Sequence, residues 1–167
     1  IIGAGAFLDC VRLETAHFPQ ATTISIHAFE GCINLKTIHF PQIKTIGFKA
    51  FYRCSKLKTA YFPQATTIGK HAFDWCENLK TAHFPQVTTI SDRALQNCKN
   101  LEAVYFPQVT SISDCAFNWC ENLKTAHFPQ VTTIGADALS CCIKLQEIQF
   151  PEVITIKSRA FSDCENL

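Results

Sequence analysis

The stretch Ile68-Gly69-Lys70-His71-Ala72-Phe73-Asp74-Trp75-Cys76-Glu77-Asn78-Leu79-Lys80-Thr81-Ala82-His83-Phe84-Pro85-Gln86-Val87-Thr88-Thr89-Ile90 runs from one isoleucine to its counterpart 22 residues on, and the same pattern fills the chain on both sides. Its clearest mark is Phe-Pro-Gln or Phe-Pro-Glu, which begins at Phe18, Phe40, Phe62, Phe84, Phe106, Phe128 and Phe150 with no insertion or deletion between copies. A strict period of this length makes each unit one turn of a solenoid, because so short a unit cannot bury its apolar side alone and must stack on its neighbours.

With the Phe of each Phe-Pro pair as position 1, the chain reads as columns. Position 7 is Ile in all eight copies, from Ile2 to Ile156, and position 11 is Ala in all eight, from Ala6 to Ala160. Position 12 is Phe or Leu, position 15 is Cys eight times, and position 18 is Leu from Leu13 to Leu167. Positions 4 and 21 are Ala, Val or Ile. About a third of each unit therefore points inward, as a core built from columns of like side chains requires.

The segment Lys80-Thr81-Ala82-His83-Phe84 alternates polar and apolar residues, predicting a short strand with positions 21 and 1 inward and positions 20 and 22 outward. Proline at position 2 lacks an amide donor and ends the ladder, while strands of successive turns pair in parallel at ~4.8 Å. The β-branched run Val87-Thr88-Thr89-Ile90 predicts a second extended element. Gly or Ser fills position 8 in seven of eight copies, with Ser25, Ser91 and Ser113 suited to cap a helix. Apolar residues at positions 7, 11, 12 and 15 then predict one or two helical turns over positions 9 to 15. Asn at position 17 (Asn34, Asn78, Asn100, Asn122, Asn166) suits the left-handed residue that closes such a helix.

The unit Ile-Gly-x-x-Ala-Phe-x-x-Cys-x-x-Leu, as in Ile68 to Leu79, followed by its Phe-Pro and Val-x-x-Ile elements, resembles the BspA-like leucine-rich repeats over the whole chain. The resemblance implies an α/β solenoid, right-handed, with a parallel β-sheet on the concave side and short helices on the convex side. It further implies a surface-exposed adhesin or host-interaction protein, and it brings no defined catalytic or ligand residues to carry over. One departure is that the inward strand positions are often Ala and Phe, as at Ala60 and Phe62, where the general leucine-rich pattern has Leu or Ile.

Residues 1–167 are read as one solenoid of about seven and a half repeats. Both ends cut through a repeat and no polar-faced cap is visible, so the chain is read as a piece of a longer array. Fifteen basic and fourteen acidic residues leave a net charge of +1, giving no electrostatic case for nucleic acid or an anionic membrane. The longest apolar runs are a few residues, which gives no membrane-inserting segment.

Eight of the ten cysteines (Cys10, Cys32, Cys54, Cys76, Cys98, Cys120, Cys142 and Cys164) occupy position 15, in line with the apolar columns. Free Cys behaves as a small buried hydrophobe, so a reduced core ladder is favoured over disulfides between adjacent turns. One thiol per turn is a poor match to the short paired spacings of zinc sites. Cys115 at position 10 and Cys141 at position 14 break the row. Both are placed near the helix surface, more reactive than the rest, and their pairing is disfavoured.

Position 20 supplies Thr15, Thr37, Thr59, Thr81 and Thr125, and position 22 supplies His17, His39, Tyr61, His83, Tyr105 and His127, with Ala103, Glu147 and Gln149 as interruptions. On one parallel sheet these make two adjacent ladders about 30 Å long. Their simplest role is to stabilise the sheet by stacking; their functional reading is an amphipathic recognition surface. His17 and His39 are the only adjacent histidine pair, and without a carboxylate they make a poor metal site. Imidazoles charge as pH falls, so acidification is expected to place positive charge along this face. The pairs Thr22-Thr23, Thr66-Thr67, Thr88-Thr89 and Thr132-Thr133 do not form an ice-binding array, because neighbouring residues of a strand point to opposite faces. Trp75 and Trp119 begin two identical stretches, to Ile90 and to Ile134, and are expected to cover the neighbouring helix or, if exposed, to mark a lateral protein contact.

No nucleophile-base pair, carboxylate dyad, phosphate loop or metal cluster stands out from the periodic background, so no enzyme and no cofactor is expected. The favoured function is a protein- or glycan-binding module, extracellular or at the cell surface, using the concave strand face. Two alternatives stand beside it. One is a structural protein that self-associates through open solenoid ends or lateral faces into filaments or a surface layer. The other is a cytoplasmic scaffold, which the free thiols suit.

Overall fold

The computed structural model describes residues 1–167. Each turn contributes a three-residue strand at positions 20 to 22 and a two-residue strand at positions 6 and 7. The longer strands are β1 (Thr15–His17), β3 (Thr37–His39), β5 (Thr59–Tyr61), β7 (Thr81–His83), β9 (Ala103–Tyr105), β11 (Thr125–His127) and β13 (Glu147–Gln149). Between them lie β2 (Thr23–Ile24), β4 (Thr45–Ile46), β6 (Thr67–Ile68), β8 (Thr89–Ile90), β10 (Ser111–Ile112), β12 (Thr133–Ile134) and β14 (Thr155–Ile156). All pairing is parallel and in register by whole repeats, so Thr15 faces Thr37 and Ile24 faces Ile46, as a parallel solenoid of leucine-rich type requires.

No helix forms. Positions 10 and 14 have left-handed backbone in every copy, from Gly5 (φ 60°) and Asp9 (φ 54°) to Arg159 (φ 53°) and Asp163 (φ 60°). A residue of positive φ every fourth place stops a helix from propagating. The segment is instead a spiral of tight turns. Within a turn, Ala28, Glu30 and Cys32 donate to the carbonyls three residues back, those of Ser25, His27 and Phe29. The intervening amides donate to the next turn: His27 to Phe48, Phe29 to Ala50 and Gly31 to Tyr52. These three inter-turn bonds recur at every step to the last, where Asp137, Leu139 and Cys141 donate to Ser158, Ala160 and Ser162.

Two further expectations change with the helix. Position 17 is not left-handed; its asparagines bridge turns, with Asn78 Nδ2 donating to the Ser55 carbonyl at 2.8 Å and Asn100 Nδ2 to that of Glu77 at 2.9 Å. Position 8 serves close approach in place of capping. A Cβ added to Gly69 would lie 2.5 Å from the Gly47 carbonyl carbon, and Ser91 Oγ donates back to the Ile68 carbonyl of the previous turn at 2.6 Å.

The core is one cluster of 47 buried residues running the length of the coil. Phe rings of position 12 stack at 4.9, 5.3 and 5.1 Å from Phe7 to Phe73, and tilt against those of position 1. The ladder cysteines line this core without disulfides. Cys54 Sγ donates to the Phe29 carbonyl at 3.1 Å and Cys98 Sγ to that of Phe73 at 3.3 Å, each carbonyl also accepting an amide of its own turn. Burial pushes the Cys32 thiol up to about 11 and raises Cys54, Cys76, Cys98, Cys120 and Cys142 well above the usual thiol value.

Cys115 and Cys141 are half-buried on the spiral of turns, where no helix surface exists, and are unpaired. A disulfide-exchange reagent at neutral pH should therefore reach only Cys10, Cys115, Cys141 and Cys164 of the folded protein, and the other six thiols only on unfolding. Rapid labelling of all ten under native conditions would contradict this core.

Candidate functional site

Alternation along the three-residue strands sends position 21 into the core and positions 20 and 22 to solvent. Thr15, His17, Thr37, His39, Thr59, Tyr61, Thr81, His83, Tyr105 and Thr125 are exposed, and His127 is half-buried. They occupy one face, but their rings do not form a continuous ladder. His17 stacks on His39 at 4.8 Å and Tyr61 on His83 at 5.1 Å, while Tyr105 tilts against His127 at 5.2 Å. Between the pairs the sheet itself is interrupted. Hydrogen-bonded pairing joins β1 to β3, β5 to β7, and β9 through β11 to β13, and is missing at β3/β5 and β7/β9.

Flanking bonds and core spacing follow the same breaks. Phe18, Phe62, Phe106 and Phe128 donate to the residue at position 22 of the next turn; Phe40 and Phe84 do not. Position 1 rings lie 6.2 Å apart at Phe40/Phe62 and 6.1 Å at Phe84/Phe106, against 5.5 to 5.9 Å at the bonded steps. The spiral of turns, with its three bonds at every step, thus sets the pitch. The strand face opens at two steps, and the row of two-residue strands opens at one, β6/β8.

A second feature, which the column pattern does not single out, lies on the face formed by the turns. His71 Nδ1 lies 2.8 Å from Asp74 Oδ2, and Asn97 Nδ2 donates to the other oxygen of this buried carboxylate at 3.3 Å. Burial raises the Asp74 carboxyl above the usual range, and the bonds from His71 and Asn97 pull against that shift. Two turns earlier His27 and Glu30 form the same i, i+3 pair. Around them Lys49 Nζ sits over the rings of Phe48 and Tyr52, at 5.4 and 4.8 Å, and the Arg53 guanidinium over Tyr52 at 5.2 Å. The repeated His-x-x-Asp/Glu spacing at positions 10 and 13 was the available signal.

Trp75 and Trp119 are both exposed, at 39% and 47%, so neither simply covers its neighbour. No group of three or more His, Cys, Asp and Glu side chains is arranged to hold a metal ion. No helix is long and apolar enough to cross a membrane.

A family model described as BspA type leucine rich repeat region (6 copies) matches residues 1–124 and, in an overlapping placement, residues 44–167. The chain belongs to the BspA-type leucine-rich repeat family. No curated protein matches it. Among solved structures, the leucine-rich repeat protein of T. pallidum is similar, with a TM-score of 0.86 and 25% identity over 92% of this chain and 77% of that one. A leucine-rich repeat protein from Eubacterium ventriosum has a TM-score of 0.81 and 25% identity over 90% of this chain and 43% of its own. A leucine rich cell surface protein from Faecalibacterium prausnitzii shares the fold more distantly, with a TM-score of 0.51 and 20% identity over 95% of this chain and 65% of that one. BspA-type membership and these bacterial neighbours place the chain among repeat modules that typically act in protein interaction.

Proposed function

We propose that this BspA-type chain is a non-enzymatic binding module that recognises a protein or glycan through the strand face, as an adhesin or host-interaction protein at a cell surface. One observation carries the reading: a row of exposed rings and threonine hydroxyls mounted on a rigid core, with Tyr61 57% and Tyr105 59% exposed. Tyrosine and histidine combine large contact area with polar tips, the chemistry that dominates binding hot spots. Family membership supports the reading at the level of a binding repeat.

The test is a triple substitution, His39→Ala, Tyr61→Ala and His83→Ala, probed on arrays of purified glycans and of extracellular proteins. Binding should fall by at least 100-fold with melting temperature and far-UV circular dichroism unchanged. Binding retained by a folded triple variant would refute this face. The ten unpaired cysteines favour a second reading, a scaffold in a reducing compartment that uses the same face.

A further inference from the structure

We propose that the interrupted step between β7 and β9 is a slot for one uncharged pyranose ring of a glycan. The proposal rests on the strand face being a binding face, and it narrows the ligand to a chemical class and the site to one step.

At this step the pairing is missing and Phe84 makes no bond to Tyr105, although Phe62 donates to His83 at 3.1 Å on one side and Phe106 to His127 at 3.3 Å on the other. The Ala82 side chain, fully enclosed at the equivalent Ala60, becomes half-exposed. A cleft of about 350 Å³ results. His83 and Tyr105 wall it, Ala82 and Val104 floor it, and Thr81 and Thr125 stand at its rim. Each wall is held from behind, His83 by stacking on Tyr61 and Tyr105 by its contact with His127. The other interrupted step, β3/β5, carries Ile38 where this one has Ala82, and Thr59 where this one has Ala103. Val104 stands where that step has Ala60, so the inward pair here is smaller by one carbon, and Ala103 lacks the hydroxyl and methyl of Thr59.

Pocket size and chemistry select the occupant. The volume lies at the small end of ligand sites, which run from about 300 to 1,000 Å³, enough for one ring and not for a folded segment. No Asp, Glu, Lys or Arg side chain lines it, so a neutral ligand fits best. The strand edges of β7 and β9 present amides and carbonyls with no partner across the gap. A ligand that displaces water must satisfy them, at a cost of about 1–3 kcal/mol for each group left dry. A pyranose meets both demands: hydroxyls around its edge reach the strand edges and the Thr81 and Thr125 side chains, while its C–H face lies on Tyr105. An aromatic side chain from a protein partner would cover the same wall and leave those polar groups unpaired.

Saturation-transfer NMR with the methyl glycosides of glucose, galactose, mannose and N-acetylglucosamine tests this, with N-acetyl-tyrosinamide as the protein-like probe. At least one glycoside should receive saturation at its ring protons. Ala82→Ile should weaken that binding about tenfold or more. Isoleucine already occupies this column at Ile38 and Ile148, so the variant keeps the fold, and its melting curve verifies that. Lys49→Ala, on the face formed by the turns, should bind the glycoside as the parent does. No binding by any of the four glycosides, equal binding by Ala82→Ile, or binding of N-acetyl-tyrosinamide in their place overturns the proposal. If His17→Ala, His39→Ala, at the far end of the strand face, loses the glycoside while Ala82→Ile keeps it, the slot fails and the strand-face reading stands.

Discussion

Raising the pH above about 9 should unfold this protein over a narrow range, and the ladder thiols should be the cause. Cys32, Cys54, Cys76, Cys98, Cys120 and Cys142 are fully enclosed, and burial raises each of them above the ordinary value of 9.0. Below that value every thiol is protonated in both the folded and the unfolded chain, and stability is intact. Above it only the unfolded chain sheds these protons, so stability falls with rising pH until the folded values are reached. Each thiol contributes a slope of about 1.4 kcal/mol per pH unit, and six together about 8 kcal/mol per unit, comparable with the whole stability of an ordinary domain.

Denaturant titrations in reducing buffer at pH 7.5, 9.5 and 10.5 give that slope directly. The triple variant Cys76→Ala, Cys98→Ala, Cys120→Ala should start less stable at pH 7.5, having lost three sulfurs from the core, yet show about half the parent's slope. All other titrating groups are common to both proteins. An equal slope in parent and variant would sink the assignment.

The second large effect is expected at Phe73, whose fully buried ring stacks on Phe51 at 5.1 Å and tilts against Phe62 and Phe84 at 6.0 and 5.5 Å. Phe73→Ala should cost about 3–5 kcal/mol, since the rings above and below are fixed by their own turns and cannot close the cavity. Phe73→Leu should cost far less, because Leu95 and Leu139 already fill this column. Phe161→Ala, where the ring is only half-buried, should also be milder. In a quasi-linear array a central defect weakens the coupling between the turns on either side, so Phe73→Ala should in addition broaden the unfolding transition. The same cost at Phe73 and Phe161 would show that the turns are not coupled in this way.

The inward columns were legible because side-chain period and repeat period act together. Alternation at Lys80 to Phe84 assigns each residue of the strand to a face, and repetition averages out single exceptions such as Ala103. The turns were misread as helix for a physical reason. Apolar residues at positions 7, 11, 12 and 15 face one side whether hydrogen bonds run four residues back, as in a helix, or three back with a left-handed residue every fourth place. The distinguishing signal was in the polar columns. Position 10 (Gly5, His27, Lys49, His71, Arg93, Cys115, Asp137, Arg159) and position 14 (Asp9, Gly31, Arg53, Trp75, Asn97, Trp119, Cys141, Asp163) contain no Val, Ile or Thr. β-branched residues are the ones that positive φ excludes most strongly.

For the candidate site, alternation placed all of the position 20 and 22 residues on one face, and the structure keeps them there. Their grouping into pairs was not readable, because the inward column beneath them changes little across a break. Ala60 and Ala82 meet at a bonded step, Ala82 and Val104 at an open one. What separates the two is the spacing of the Phe rings below, 5.6 Å at the bonded step and 6.1 Å at the open one.

The inter-turn bonds of the spiral run from backbone to backbone, three per step, and are indifferent to the side chains of either turn. Copy number therefore becomes a free variable. Inserting or deleting one whole 22-residue unit shifts every later residue by one full turn and leaves each donor facing an equivalent acceptor, so a gene of this kind can lengthen or shorten by recombination between its own repeats without passing through an unfoldable intermediate. Such a scaffold lets the length of the strand face vary while its cross-section stays fixed.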